Sequence, residues 1–202
     1  MSRYPRERKQ ATRERILSAA ESLIKDRGPE AATVEAVMRR AGLTVGGFYG
    51  HFPSKEALAQ EALLAGVERS FERMVAGLDV ATPDVFARNL ITRYLDQVDD
   101  PLSAACPLTL LLPDVARGEA GFRDAFAERT AALVGRVEQR LPGVPGMERR
   151  DVALALFAML AGGVSFARAA ATLRGRRRIV NATRDGCLRL LGLPVREEGG
   201  VE

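Results

Sequence analysis

Three side chains that could hold a phosphate group lie within seven residues of one another, namely Tyr49, His51 and Lys55. A phenol and an imidazole can donate hydrogen bonds to phosphate oxygens, which positions a protein on a nucleic acid without reading its sequence. Lys55 follows Pro53 and Ser54, where a helix is expected to begin. Its ammonium, the free backbone amides and the helix dipole would then face the same anion. The spacing therefore favours contact with phosphates.

The elements that must position these side chains are two short helices separated by a tight turn. Thr33 is expected to cap the first helix, and Gly42 is expected to end it in a left-handed conformation. Thr44 would cap a second helix over residues 44–50, and Ser54 would cap the helix that follows. Two helices joined by a three- or four-residue turn that contains a glycine are typical of a helix-turn-helix.

Apolar residues recur at helical spacing on both sides of this motif. The sequence predicts a first helix over residues 9–27, and residues 1–8 are expected to form a mobile, arginine-rich arm. No stretch alternates as a strand does, so the chain is predicted to be all-α. The pattern after the motif predicts helices over residues 54–78, 83–98, 103–118, 122–141, 152–167 and 177–191.

Two of these predicted helices are unusual. Pro113 removes a hydrogen bond within the helix over 103–118 and is expected to kink or end it. Residues 152–167 carry no charge but fall short of the roughly 20 apolar residues that span a membrane. A helix buried on all sides is therefore favoured, with no membrane partner. The pair Gly162-Gly163 within it would let another backbone approach closely.

Composition bounds the possible functions. The chain has 202 residues, of which 47% are hydrophobic and 28% charged, which describes a soluble globular protein of one or two domains. The N-terminus lacks the apolar core of a signal peptide, so the cytoplasm is expected. Two cysteines and one histidine do not supply ordinary zinc spacing. No nucleophile or carboxylate is spaced with His51, so no catalytic residue, metal or cofactor is predicted and the chain is not expected to be an enzyme.

Charge is concentrated at one end of the chain. The net charge is +4, but residues 1–55 carry +5 and residues 56–202 carry −1. A basic segment on a nearly neutral body is the electrostatic footprint of a phosphate-binding module, although a solvated basic tail explains it equally well. The basic run over 174–178 is interpreted as a solvated turn rather than a second nucleic-acid patch.

The motif resembles the TetR family of bacterial transcriptional regulators. The resemblance lies in Thr33, Ala41-Gly42-Leu43-Thr44, Gly47-Phe48-Tyr49, His51-Phe52 and Ser54-Lys55-Glu56-Ala57-Leu58. It covers about the first quarter of the chain closely, and the remainder matches in length and helix count. It implies a nine-helix homodimer, with three helices for DNA and six for effector binding and dimerisation.

By position, the resemblance implies that Thr33, Tyr49, His51 and Lys55 contact phosphates. It also implies that residues 44–47 face base edges. That stretch holds no Arg, Asn or Gln able to make bidentate base contacts. Sequence reading would then depend on Glu35, Arg39, the N-terminal arm or DNA shape. The predicted DNA-binding residues are Thr33, Glu35, Thr44, Val45, Gly46, Gly47, Tyr49, His51 and Lys55.

The predicted domains are a DNA-binding domain over 1–53 with its arm over 1–8, an effector-binding and dimerisation domain over 54–191, and a disordered tail over 192–202. The cysteines are expected to be small buried apolar residues, with redox sensing as the alternative. The predicted ligand-binding residues are Phe71, Met74, Leu90, Tyr94, Leu110, Phe122, Phe126 and Phe157. The predicted dimer interface comprises Leu160, Gly163, Phe166, Ala170, Thr183, Cys187 and Leu191.

The sequence thus predicts a dimeric repressor that binds a double-stranded DNA operator and is released by a small, largely apolar effector. One alternative is a helical small-molecule-binding or catalytic bundle in which the DNA motif is vestigial. Another is an architectural DNA protein without an effector. Salt-dependent binding to duplex DNA, and release by a ligand, would separate the three.

Overall fold

The computed structural model describes residues 3–27, 31–78, 81–99, 112 and 115–195, and every regular element in these ranges is helical. The all-α prediction is therefore confirmed. The predicted helix over 103–118, with its kink at Pro113, falls largely outside the described residues. The elements are α1 (Arg3–Arg27), α2 (Val34–Arg40), a 3₁₀ helix (Val45–Gly50), α3 (Lys55–Val75), α4 (Pro83–Asp96), α5 (Ala120–Glu138), α6 (Arg149–Ala169) and α7 (Leu173–Leu190).

Side-chain caps fix where several helices begin. The Oγ1 of Thr33 accepts a hydrogen bond from the Ala36 amide at 3.2 Å, and the Ser54 hydroxyl accepts one from the Ala57 amide at 3.1 Å. Thr82 caps α4 in the same way, with Pro83 as the first helical residue. Each cap satisfies an amide that has no partner within the helix. The caps predicted at Thr33 and Ser54 are confirmed.

The chain divides into two compact units, and the division along α3 falls between Val67 and Glu68. The core of the first unit is formed by α1, α2, the 3₁₀ helix and the start of α3, around Ile16, Phe48 and Phe52. The core of the second unit brings together α4, α6 and α7, with the end of α3 and part of α5. The predicted domain boundary at residue 53 stays a prediction.

Three expectations are corrected. The arm predicted over 1–8 is helical from Arg3, because Pro5 lies in the first turn of α1, where an amide needs no intrahelical partner. The basic run over 174–178 belongs to α7 rather than a turn, because Thr172 caps that helix by accepting the Gly175 amide at 3.0 Å. Residues 152–167 are not buried on all sides, since Phe166 is 73% exposed.

The helix α6 is long and apolar enough to cross a membrane by length and composition alone. The core helix of a soluble protein meets the same criterion, and 44% of its most apolar window is buried inside the chain. The tail predicted over 192–202 includes Leu193, which is buried in the core of the second unit. Residues 196–202, the rest of the predicted tail, lie outside the described residues.

The thiol of Cys187 is fully buried in the second unit, and this burial raises its pKa from 9.0 to about 12. Because the folded state holds the proton more tightly, the thiol's contribution to stability is complete below about pH 9 and is lost as the pH rises toward 12. A Cys106→Ser variant, whose remaining thiol is Cys187, is expected to react with a disulfide reagent at neutral pH only after unfolding. Rapid reaction of the native variant would contradict burial and revive the redox-sensor alternative.

Candidate nucleic-acid interface

The turn of the helix-turn-helix is built at the end of α2. Gly42 has a φ of +66°, as the sequence predicts. The Leu43 amide donates to the Met38 carbonyl at 2.9 Å, and the Gly42 amide donates to the Arg39 carbonyl at 3.1 Å. These two bonds form a Schellman motif, which a residue with a Cβ would strain at the glycine position. The turn therefore has one defined geometry.

The helix after the turn has one buried and one exposed face. Phe48 is fully buried and Phe52 is 1% exposed, with their ring centroids 5.9 Å apart. Tyr49, in the next position along the chain, is 70% exposed, and Val45 is 44% exposed. The two phenylalanines therefore hold the helix in place while Tyr49 and Val45 remain free for a ligand. The contacts predicted for Tyr49 and Val45 stay a prediction.

The geometry of this helix differs from the prediction. It is a 3₁₀ helix, with the Gly47 amide donating to the Thr44 carbonyl at 3.2 Å and the His51 amide to the Phe48 carbonyl at 2.9 Å. Thr44 stands at the N-cap but makes no capping hydrogen bond with its side chain. Three glycines in six residues explain the tighter form, because glycine disfavours the α-helix by about 1 kcal/mol relative to alanine.

The predicted contact residues of α2 all lie on its exposed side. Thr33, Glu35 and Arg39 are exposed, whereas Val37 and Met38 are buried. Thr33 accepts a backbone amide as a cap, and its hydroxyl proton stays available for an external acceptor such as phosphate. All nine predicted DNA-binding residues fall within the first unit, and the structure leaves seven of them exposed and two, His51 and Lys55, half-buried.

The start of α3 has fewer free hydrogen-bond donors for an anion than the sequence indicates. Lys55 is its first residue, as expected, but Glu56 also stands in the first turn. Its own backbone amide and then the Ser54 hydroxyl hold the pKa of the Glu56 carboxyl below its ordinary value. The Glu56 carboxylate therefore uses part of the donor capacity at this helix end. A phosphate bound here would depend chiefly on the Lys55 ammonium.

One contact that the sequence analysis missed fixes α1 to α3. The guanidinium of Arg13 forms a bidentate pair with the carboxylate of Glu61 and lies over the Phe52 ring, 4.5 Å from its centroid. The hydrogen bonds to Glu61 raise the pKa of Arg13. Bidentate pairing defines orientation as well as adding energy. No local signal predicts this pair, because its members stand 48 residues apart.

Seven of the eight predicted ligand-binding residues lie within the described part of the second unit. Phe71, Met74, Leu90 and Tyr94 belong to its core, and Phe157 packs against them with its ring centroid 6.3 Å from that of Phe71. Phe122 is buried and Phe126 is half-buried. Leu110 lies outside the described residues. The ligand-binding assignment stays a prediction.

The predicted interface residues divide into two groups. Leu160, Cys187 and Leu191 are at most 2% exposed within their own chain, so their side chains have almost no surface to offer a second copy. They are core residues, which corrects that part of the prediction. Gly163 is also buried, against Thr183 of α7. Phe166 is the most exposed of the set, and Ala170 and Thr183 are half-buried.

A helix-turn-helix with a packed inner face and an exposed outer face, in an all-helical chain, defines the class of helix-turn-helix DNA-binding proteins. Residues 16–62 match the family described as bacterial regulatory proteins, tetR family. The chain is 35% identical over 103 residues to TtgW of Pseudomonas putida, an uncharacterized HTH-type transcriptional regulator. The matched stretch covers 43% of this chain and 77% of TtgW. The chain belongs to the TetR family of bacterial regulatory proteins.

Two further comparisons concern a shorter stretch of sequence and the fold alone. The HTH-type transcriptional regulator UidR of Escherichia coli is 39% identical over 64 residues, which cover 32% of this chain. The matched stretch covers 33% of UidR, so the chain spans about a third of the length of this relative. The crystal structure of the multidrug binding protein EbrR, complexed with proflavin, has the same fold. The two structures superpose with a TM-score of 0.66 and are 20% identical in sequence. The superposition covers 89% of this chain and 99% of EbrR.

Proposed function

We propose that the protein is a transcriptional repressor that binds an operator in double-stranded DNA as a cytoplasmic homodimer. A small, largely apolar effector releases it from that operator. The contrast between Phe48, fully buried, and Tyr49, 70% exposed, is the observation that carries the DNA-binding part. It describes a helix that is anchored by one face and presents the other to a groove.

The outer face of the 3₁₀ helix favours positioning over base reading. Val45 offers an exposed apolar side chain suited to a thymine methyl group, while Gly46 and Gly47 leave the backbone accessible. Glu35 and Arg39 of α2 are exposed and are candidates for polar base contacts. Sequence preference would otherwise come from DNA shape and deformability.

The second unit suits an apolar effector and a second copy of the chain. Phe71, Tyr94 and Phe157 pack together in the core of this unit and give it an aromatic interior, and EbrR, whose fold is similar, is complexed with proflavin. Three large apolar side chains on α6 and α7 are exposed in the single chain, and burying them against a second copy would remove this surface from water. They are Leu154, Phe166 and Leu173.

Selection of bound sequences from random DNA duplexes tests the proposal as a whole. A homodimer would select a site with two-fold symmetry and half-sites about one helical turn, or a multiple of it, apart. A catalytic or ligand-binding bundle with a vestigial motif would select nothing. An architectural DNA protein would bind DNA without symmetry, and no small apolar compound would release it.

Lys55→Ala is expected to weaken binding to operator and random duplexes alike. Loss of one phosphate contact lowers the magnitude of the slope of log K against log salt concentration by about 0.9. The measurement is a salt titration of DNA affinity. Arg150→Ala serves as the control, because Arg150 is exposed in the second unit and carries the same charge. Equal slopes for Lys55→Ala and Arg150→Ala would refute the phosphate contact at Lys55.

A further inference from the structure

An open cleft of about 440 Å³ lies in the first unit beside the end of the 3₁₀ helix. We call it the α1 cleft. It is lined by Arg8, Lys9 and Thr12 from α1 and by Gly50 and His51 from the end of the motif. The structure thereby brings the second and third turns of α1 next to His51, which stands about 40 residues further along the chain. Lys9 and Thr12 are not among the residues that the sequence predicts to contact DNA, whereas Arg8 belongs to the predicted arm over 1–8.

The lining of the α1 cleft is basic and contains no carboxylate. Arg8 and Lys9 are exposed, and neither pairs with a carboxylate among the described residues. By contrast, Arg13, further along the same helix, is fully engaged with Glu61. Two unpaired cations side by side repel each other and attract an anion. The charge of this cleft is therefore uncompensated within the described part of the chain.

His51 and Gly50 give the cleft two further properties. The Nδ1 of His51 is buried and has no hydrogen-bond partner among the described residues, which is rare in a native protein unless a ligand or water completes it. A Cβ added at Gly50 would meet no atom within 4 Å. The cleft consequently reaches the backbone at the end of the 3₁₀ helix, where a ligand could approach closely.

We propose that the α1 cleft binds a phosphodiester group of the DNA backbone through Arg8 and Lys9, in addition to the contacts predicted for Tyr49, His51 and Lys55. The inference rests on the proposed function and extends its DNA surface onto α1. The open form of the cleft supports a polymer backbone that passes across it, because sites for free small molecules usually enclose most of the ligand's surface. Such a contact fixes register and adds affinity without reading sequence.

The test is the salt dependence of binding to a duplex of random sequence, between roughly 50 and 200 mM salt. The full chain is compared with Arg8→Ala/Lys9→Ala, with Arg8→Lys/Lys9→Arg, and with Arg150→Ala as the matched charge control. The double alanine variant is expected to lower the magnitude of the slope by up to about 1.8, since each lost phosphate contact removes about 0.9. The charge-preserving variant and Arg150→Ala should keep the original slope. Unchanged melting temperatures would show that the fold is intact.

Three outcomes would overturn the inference, and they have different meanings. If the unmodified chain shows no salt-dependent binding, the proposed function fails and the inference fails with it. If the unmodified chain binds but the double alanine variant keeps its slope, only the role of the α1 cleft is refuted. If inorganic phosphate binds the unmodified chain but not the double alanine variant, while both chains bind the duplex with the same slope, the cleft is a site for free anions instead.

Discussion

Replacing Phe48 by alanine is expected to unfold the first unit and abolish DNA binding. Phe48 is fully buried between Phe52 and the rest of a small core. Removing a buried phenylalanine costs about 3–5 kcal/mol, a large share of the about 5–15 kcal/mol that stabilises an entire small protein. The 3₁₀ helix depends on this packing, because six residues with three glycines cannot sustain a helix alone. Thermal unfolding followed by circular dichroism, together with a DNA-binding titration, measures both effects.

Tyr49→Phe is the matched control at the adjacent position. It retains the exposed ring and removes only the hydroxyl, so the free energy of unfolding should change by no more than about 0.5 kcal/mol. Because a hydrogen bond to a charged group contributes about 1.5–3 kcal/mol, DNA affinity should fall on the order of tenfold or more. Phe48→Ala would thus affect stability and binding, and Tyr49→Phe binding alone. A stable Phe48→Ala variant that still binds DNA would contradict the packing role of Phe48.

Gly163→Ala and Gly162→Ala are expected to change stability in opposite directions. A Cβ at Gly163 would lie 2.9 Å from the Cβ of Thr183 and closer still to its Oγ1 and Cγ2. Overpacking of this kind costs about 1–3 kcal/mol, because α6 and α7 must move apart. A Cβ at Gly162, in contrast, would meet no atom within 4 Å, so only the gain in helix propensity of about 1 kcal/mol remains.

The comparison of these two neighbours isolates the steric effect. Both variants gain the same helix propensity in the same helix, so the difference between their free energies of unfolding reports the clash with Thr183 alone. We expect that difference to be about 1–3 kcal/mol, measured by denaturant unfolding of the full chain. Equal stabilities would show that α6 and α7 can separate freely at this crossing.

Local chemistry explains what the sequence could predict. Thr33 and Ser54 cap helices, and Gly42 ends one, because each signal acts over three or four residues and needs no distant partner. The same signals did not separate a 3₁₀ from an α-helix over 45–50. Caps and stops mark the ends of a helix and do not define its hydrogen-bond pattern, which is 3₁₀ over 45–50.

Contacts between distant segments explain what the sequence could not predict. Periodicity shows that Leu160 and Cys187 lie on apolar helix faces but not which neighbour covers those faces, so core residues were assigned to an interface. The α1 cleft likewise joins Arg8 to His51, whose proximity depends on how α1 packs. The predicted arm failed for a simpler reason, since a proline near a chain end is also compatible with the first turn of a helix.

The carboxylates of α3 fix how that helix is rotated about its own axis. Glu61 pairs with Arg13 of α1, while Glu68 and Glu72 pair with Arg129 and Arg136 of α5. Within the second unit, Glu68 and Glu72 stand one helical turn apart and therefore lie on one face of α3. Each of these two pairs is solvent-accessible and adds little stability, but advancing this part of α3 by one residue would turn the face by about 100° and separate both pairs at once. The two ion pairs thus select one rotation of this part of α3 against α5.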